Sequence, residues 1–125
     1  LSTCSGTLIG SDLILSAGHC FSISSSASPL DSVAAASSSV VFGFQTNCNG
    51  TRPAGYAPKI FKVIDVVEFG YDINKDYVIL RIKVPASGVG VSPLSMRTDL
   101  PEINEEVFAI HHPNGAVKKH SPRTT

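Results

Sequence analysis

The chain consists of short apolar segments separated by turn-forming residues, and no stretch keeps a 3.6-residue apolar period for long. Short segments of this kind, which are rich in valine, isoleucine and phenylalanine, predict an all-β protein. We predict one helical turn directly after His19. We predict six strands, at residues 7–10, 13–16, 40–46, 59–69, 77–84 and 105–111.

The segments between these strands contain few large apolar residues. Serine and alanine dominate residues 22–39, which we predict to be a surface loop, and residues 50–58 and 85–101 are two further loops. Residues 113–115 read Pro-Asn-Gly and predict a hairpin turn, because Asn-Gly tolerates positive φ. A hairpin starting at residue 105 would leave uncovered edges, so we expect more polypeptide beyond residue 125.

Composition narrows the possible partners. Hydrophobic residues make up 42% of the 125 residues, which is enough for a core. Ten basic and ten acidic residues balance, so we expect neither a nucleic acid nor a membrane surface as partner. The apolar runs are too short and too interrupted to cross a bilayer, and the sequence therefore predicts a soluble protein.

Two segments carry the strongest chemical signal. Residues 4–9 read Cys-Ser-Gly-Thr-Leu-Ile, and residues 15–20 read Leu-Ser-Ala-Gly-His-Cys. The pair resembles the histidine segment of the chymotrypsin-like (trypsin fold) serine peptidases. The Ile-His-His-Pro segment at 110–113 resembles the start of the second barrel in lysyl-endopeptidase-like and related trypsin-like peptidases.

The resemblance implies a particular domain organisation. Residues 1–91 would form an antiparallel Greek-key β-barrel, the first of the two barrels of this fold. Residues 92–104 would connect the barrels, and residues 105–125 would be the first hairpin of an incomplete second barrel. The missing C-terminal barrel of the same protein would then be a partner of this chain.

The resemblance also assigns catalytic roles. An isolated histidine is usually structural, but the residues around His19 make it the candidate general base. Asp76 opens an Asp-x-Val-x-Leu segment, which in the family supplies the carboxylate that orients the histidine. Asp65 and Asp72 are the alternative acids.

The sequence contains no serine in a Gly-Asp-Ser-Gly-like turn. In chymotrypsin-like order the nucleophile follows the histidine and the acid, so it would lie beyond Thr125. The chain is therefore expected to be an inactive fragment of a serine endopeptidase that hydrolyses polypeptides without a cofactor. The alternatives are a catalytically inactive, peptidase-like binding module and, with less support, a small adhesion domain.

The cysteines and one sequon favour secretion. Cys4 and Cys20 form a plausible disulfide pair, and Cys48 is left over, either as a free buried thiol or with a partner outside this sequence. Asn49 begins an Asn-Gly-Thr sequon and is a candidate glycosylation site. These features predict an extracellular protein.

Adjacent histidines at the end of the chain raise the question of a metal. Neighbouring residues on a strand point to opposite faces, so His111 and His112 are poorly placed to share one ion, and we expect no metal there. The basic residues that follow are predicted to form a solvated, frayed end. These are Lys118, Lys119, His120 and Arg123.

Overall fold

Two antiparallel sheets account for most of the regular structure in residues 3–23, 29–85 and 88–124, which are the residues that this computed structural model describes. The strands are β1 (Gly6–Leu8), β2 (Leu13–Ser16), β3 (Ser39–Phe42), β4 (Lys59–Asp72), β5 (Lys75–Ile82), β6 (Val107–His111) and β7 (Lys119–Thr124). One short helix, α1 (Ser32–Ser37), and two 3₁₀ turns, Gly18–Phe21 and Pro113–Gly115, complete the regular elements. No helix in the described ranges is long and apolar enough to cross a membrane.

The larger sheet has the strand order β1-β2-β5-β4-β3 and forms a nearly closed barrel. This confirms the prediction of an all-β, antiparallel barrel. Two β-bulges interrupt the pairing of β4 with β5, between Val63 and Asp65 and between Val66 and Glu68. Bulges bend a strand and increase its twist, which helps the sheet to curve.

The core follows the period-2 pattern of β5. Val78, Leu80 and Ile82 are fully buried, and the intervening side chains are only partly buried. Residues of neighbouring strands pack against this row, among them Ile14 of β2 and Phe61 of β4. Burying each such side chain contributes roughly 1.5–3 kcal/mol, so β5 is the centre of the barrel's stability.

We predicted that the segment 22–39 is a surface loop, but part of it is helical. Helix α1 occupies six of its residues, and Asp31 caps the helix by accepting hydrogen bonds from the backbone N–H groups of Val33 and Ala34. Ala35 is buried where α1 meets the barrel. The predicted loop was wrong here because a local cap and an alanine run outweighed the serine-rich composition. Residues 24–28 lie outside the described part of the chain.

The hairpin at the end of the chain has the predicted turn. Asn114 and Gly115 both take positive φ, 51° and 73°, and β7 pairs with β6. The basic side chains at this end are exposed, as predicted, but the end is not frayed, because residues 119–124 form β7 and pair with β6. The assignment of this hairpin to a second barrel, and the boundaries at 91 and 104, remain predictions.

Candidate active site

His19 lies in the 3₁₀ turn that directly follows β2. The turn packs against the ends of β4 and β5 at Gly18, which is buried. A Cβ atom at Gly18 would lie 2.7 Å from the carbonyl oxygen of Gly70 and 2.8 Å from that of Tyr77. Because glycine has no Cβ, the backbone that carries His19 comes close to both strands.

A disulfide between Cys4 and Cys20 holds the same turn from its other side, as predicted. It ties the segment before β1 to the residue after His19. Closing a loop of 16 residues contributes roughly 3 kcal/mol on the chain-entropy estimate. Ser16 adds a second tie, because its hydroxyl donates a 2.7 Å hydrogen bond to the carbonyl oxygen of Ser5. His19 is therefore presented on a rigid support.

Asp76 binds His19 through both carboxylate oxygens. Its Oδ2 lies 2.7 Å from Nδ1 of the imidazole, and its Oδ1 accepts the backbone N–H of His19 at 2.9 Å. The two contacts fix the position of the ring relative to its own backbone. The β4–β5 hairpin places Asp76 at the start of β5, directly opposite Tyr71 of β4.

The electrostatics of the pair determine where the imidazole carries its proton. The side-chain hydrogen bond from His19, followed by its backbone N–H, lowers the pKa of Asp76. Asp76 is thus a carboxylate at neutral pH and can only accept hydrogen bonds. Nδ1 of His19 must be the donor, and an imidazole that carries its single proton there has its lone pair on Nε2.

The pair is accessible from solvent. The side chain of His19 is 54% exposed and that of Asp76 is 44% exposed. The ring of Tyr71 lies beside the imidazole, with 6.2 Å between ring centroids. A reacting group can therefore approach His19 without a rearrangement of the barrel.

Of the three candidate acids, the structure brings Asp76 to His19. Asp72 instead accepts the backbone N–H of Asn74 within the hairpin turn, at 2.7 Å. Asp65 lies in β4, opposite Arg81 of β5. The structure therefore pairs His19 with Asp76, and the catalytic role of this pair stays a prediction.

The remaining predicted residues lie away from this pair. Cys48 is free but exposed, so its description as a buried thiol was wrong, and Asn49 next to it is also exposed. His111 and His112 make separate contacts: Nε2 of His111 lies 3.1 Å from the hydroxyl of Ser121, and Nδ1 of His112 lies 3.0 Å from the Ala116 carbonyl oxygen.

Sequence reasoning missed two contributors to this region. Tyr71 lies beside His19. A hairpin prediction with a two-residue turn at 73–74 would have placed Tyr71 opposite Asp76. His112 donates its backbone N–H to the hydroxyl of Ser5 at 2.8 Å, which joins the second sheet to the segment that carries the disulfide. No local pattern in the sequence indicates that contact.

One group in the described residues has the spacing of metal ligands. The side-chain donor atoms of Cys4, His19 and Cys20 all lie within 4.8 Å of one another. The two sulfurs are bonded to each other in the disulfide, so neither is a thiolate ligand in this state. The group therefore belongs to the support of His19.

An open cleft of about 680 Å³ lies between the two edges of the barrel. Its floor includes Ile14 and Leu80, and its sides come from the segment around the disulfide and from β3. His112, which directly follows β6, also lines it. The cleft is mostly apolar, and several serines are among the residues that line it.

Comparison with known proteins shows the family. The family model described as "Lysyl endopeptidase, C-terminal domain" matches residues 1–125. The chain belongs to this family. No curated protein and no solved structure matches it at a significant level. The match shows a peptidase-related protein, and the narrower expectation of the N-terminal part of a trypsin-like enzyme remains a prediction.

Proposed function

We propose that this lysyl endopeptidase family member provides the general base and the orienting carboxylate of a secreted serine endopeptidase. The nucleophilic serine would come from polypeptide outside the 125 residues. The observation that carries the proposal is the 2.7 Å contact between Nδ1 of His19 and Oδ2 of Asp76. Membership of a peptidase family supports the same reaction class.

The roles follow the serine, histidine and aspartate triad of the trypsin-like peptidases and are carried over from that family. Nε2 of His19 would take the proton of the serine hydroxyl as the serine oxygen attacks the peptide carbonyl. The resulting imidazolium would be stabilised by Asp76 and would pass the proton to the leaving amine. Water would then release the acyl group from the serine by the same proton transfers.

The geometry of the pair supplies what this chemistry needs from the chain. Asp76 holds the ring through its side chain and its backbone, and the disulfide and Gly18 hold the backbone in turn. Preorganised groups act without reorganisation during the reaction, which lowers the barrier.

The second sheet supports a continuation of the protein next to this site. Val107, Phe108 and Ile110 of β6 are all exposed, although they are large and apolar. Further polypeptide packed on this two-stranded sheet, as in a second barrel, would bury these side chains. The family model describes a C-terminal domain. In our proposal this domain belongs to a longer precursor and begins with the first of the two barrels. Because the family is described as lysyl endopeptidase, the first substrate to test is a polypeptide that is cut after a lysyl residue.

The test uses the full-length protein of the gene that encodes this chain. We expect it to cleave a lysyl peptide amide and to react with a serine-directed phosphonofluoridate. Asp76→Asn should lower kcat by about 10⁴-fold, and His19→Ala should lower it by about 10⁶-fold. His120→Gln is the matched control, because His120 is exposed and belongs to the other sheet. We also expect the isolated 125-residue chain to show no triad-dependent hydrolysis.

Three results would contradict the proposal. Full activity of the folded His19→Ala protein would remove His19 from the mechanism. A full-length protein that neither cleaves peptides nor reacts with the phosphonofluoridate, yet binds a polypeptide in the cleft, would favour the inactive binding module. Hydrolysis by the isolated chain that is lost in His19→Ala would show that the nucleophile lies within these 125 residues.

A further inference from the structure

The loop between β3 and β4 contains a closed turn on the protein surface. The backbone N–H of Asn47 donates to the carbonyl oxygen of Thr51 at 2.8 Å, and the N–H of Gly50 donates to the carbonyl oxygen of Asn47 at 2.9 Å. Gly50 takes a φ of 81°, which favours glycine. Residues 47–51 are all exposed, so this turn presents its side chains to solvent.

Asn49 and Thr51 make direct contact within this turn. Oδ1 of Asn49 accepts two hydrogen bonds from Thr51, one from the hydroxyl at 2.6 Å and one from the backbone N–H at 3.1 Å. Nδ2 of Asn49 bonds to none of the described residues and is accessible. The nitrogen that a transferase would modify is therefore presented on the surface of the folded protein.

The rest of the chain fits a compartment in which such an amide is modified. The disulfide between Cys4 and Cys20 indicates an oxidising environment, and the secretory pathway of eukaryotes combines that environment with transfer of glycans to Asn-x-Thr. The other four asparagines lack a serine or threonine two residues later. Asn49 is thus distinguished by its sequence, its exposure and its bonds to Thr51.

We infer that Asn49 is a site of N-linked glycosylation whose donor is an oligosaccharide on a lipid pyrophosphate. In the transfer, the bond between C1 of the first sugar and the pyrophosphate oxygen breaks, and a bond between C1 and Nδ2 forms. The lipid pyrophosphate leaves with the electron pair. One Nδ2 proton passes to a basic group of the transferase.

The experiment is secretion of the full-length protein from a eukaryotic cell, followed by its intact mass before and after treatment with a glycan-releasing amidase. We expect most of the secreted protein to lose a glycan mass. Release in heavy-oxygen water should convert Asn49 to a labelled aspartate. Asn49→Gln should remove the glycan entirely, and Asn47→Gln, a matched change two residues away, should retain it.

Variants of Thr51 separate the hydroxyl from the shape of the turn. Thr51→Val, which keeps the shape, should lose the glycan, and Thr51→Ser, which keeps the hydroxyl, should retain it at reduced occupancy. Peptide mapping of the disulfide between Cys4 and Cys20 verifies that each variant has folded. A wild-type mass equal to that of the bare polypeptide, or a glycan that persists in Asn49→Gln, would overturn the inference. Neither result depends on peptidase activity.

Discussion

Nδ1 of His19 and Oδ2 of Asp76 lie 2.7 Å apart, although 57 positions separate the two residues in the chain. His19 follows β2 and Asp76 lies at the start of β5, and these two strands are neighbours in the barrel. The pairing of Ser16 with Val78 brings the two strand ends together. The contact is therefore a product of strand register and depends on the stability of the barrel.

The first prediction concerns pH and the unfolding free energy. The pKa of Asp76 is lowered in the folded protein, mainly by the His19 side chain, so the unfolded chain binds more protons as the pH falls. This contribution to stability is complete above the unfolded pKa and is lost as the pH drops through the lowered folded pKa. Urea titrations of wild type and Asp76→Asn between about pH 5 and pH 1 should therefore converge as the pH falls.

Glu105 also makes the unfolding free energy depend on pH, in wild type and in Asp76→Asn alike. Its pKa is also lowered, by the backbone N–H of Glu102 and by Arg97, so both proteins lose some stability in acid. The informative quantity is the difference between wild type and variant. Parallel curves for the two proteins would contradict the proposed coupling of Asp76 to His19.

The second prediction concerns the three cysteines. Because Cys48 is exposed and free, alkylation of the native protein should place one label on Cys48 and none on Cys4 or Cys20. Replacing both disulfide cysteines by serine should lower the unfolding free energy by roughly 3 kcal/mol, since the unfolded chain gains freedom. The control Cys48→Ser should stay within about 0.5 kcal/mol of wild type. A native label on Cys20 would contradict the disulfide.

The third prediction compares two isoleucines on neighbouring strands. Ile82 is 1% exposed in the core, whereas Ile64 is 56% exposed on β4. Ile82→Ala should lower the unfolding free energy by about 2–5 kcal/mol through lost burial and a residual cavity. Ile64→Ala should change it by about 0.5 kcal/mol or less. Denaturant unfolding measures both, and equal losses would contradict the assignment of the core.

The fourth prediction concerns the contact between the two sheets. The backbone N–H of His112 donates to the hydroxyl of Ser5, and Ser5→Ala removes that acceptor. Loss of one hydrogen bond of about 1 kcal/mol corresponds to roughly five-fold faster exchange of the His112 amide. Ser92→Ala is the control, because Ser92 is exposed and distant in sequence from the contact. Unchanged exchange at His112 in Ser5→Ala would argue against the docking of the hairpin.

Local patterns indicated much of the fold. The strand predicted at 77–84 corresponds to β5 (Lys75–Ile82), because an apolar run next to turn-forming residues is a local signal. Strand ends were less certain: β3 ends at Phe42, four residues before the predicted end, where Gly43 takes a positive φ. Helix α1 was missed because Asp31 and a few alanines form a signal shorter than the serine-rich segment around them.

The sequence by itself determined the strand pattern, the candidate histidine and a ranking of three acids. The tertiary structure decided that Asp76 meets His19, that Gly18 brings this turn close to Gly70 and Tyr77, and that Ser5 binds the second sheet. Side-chain alternation depends on neighbours along the chain and can be read locally. Contacts between distant segments depend on strand register, bulges and many weak packing interactions at once, which no short segment encodes.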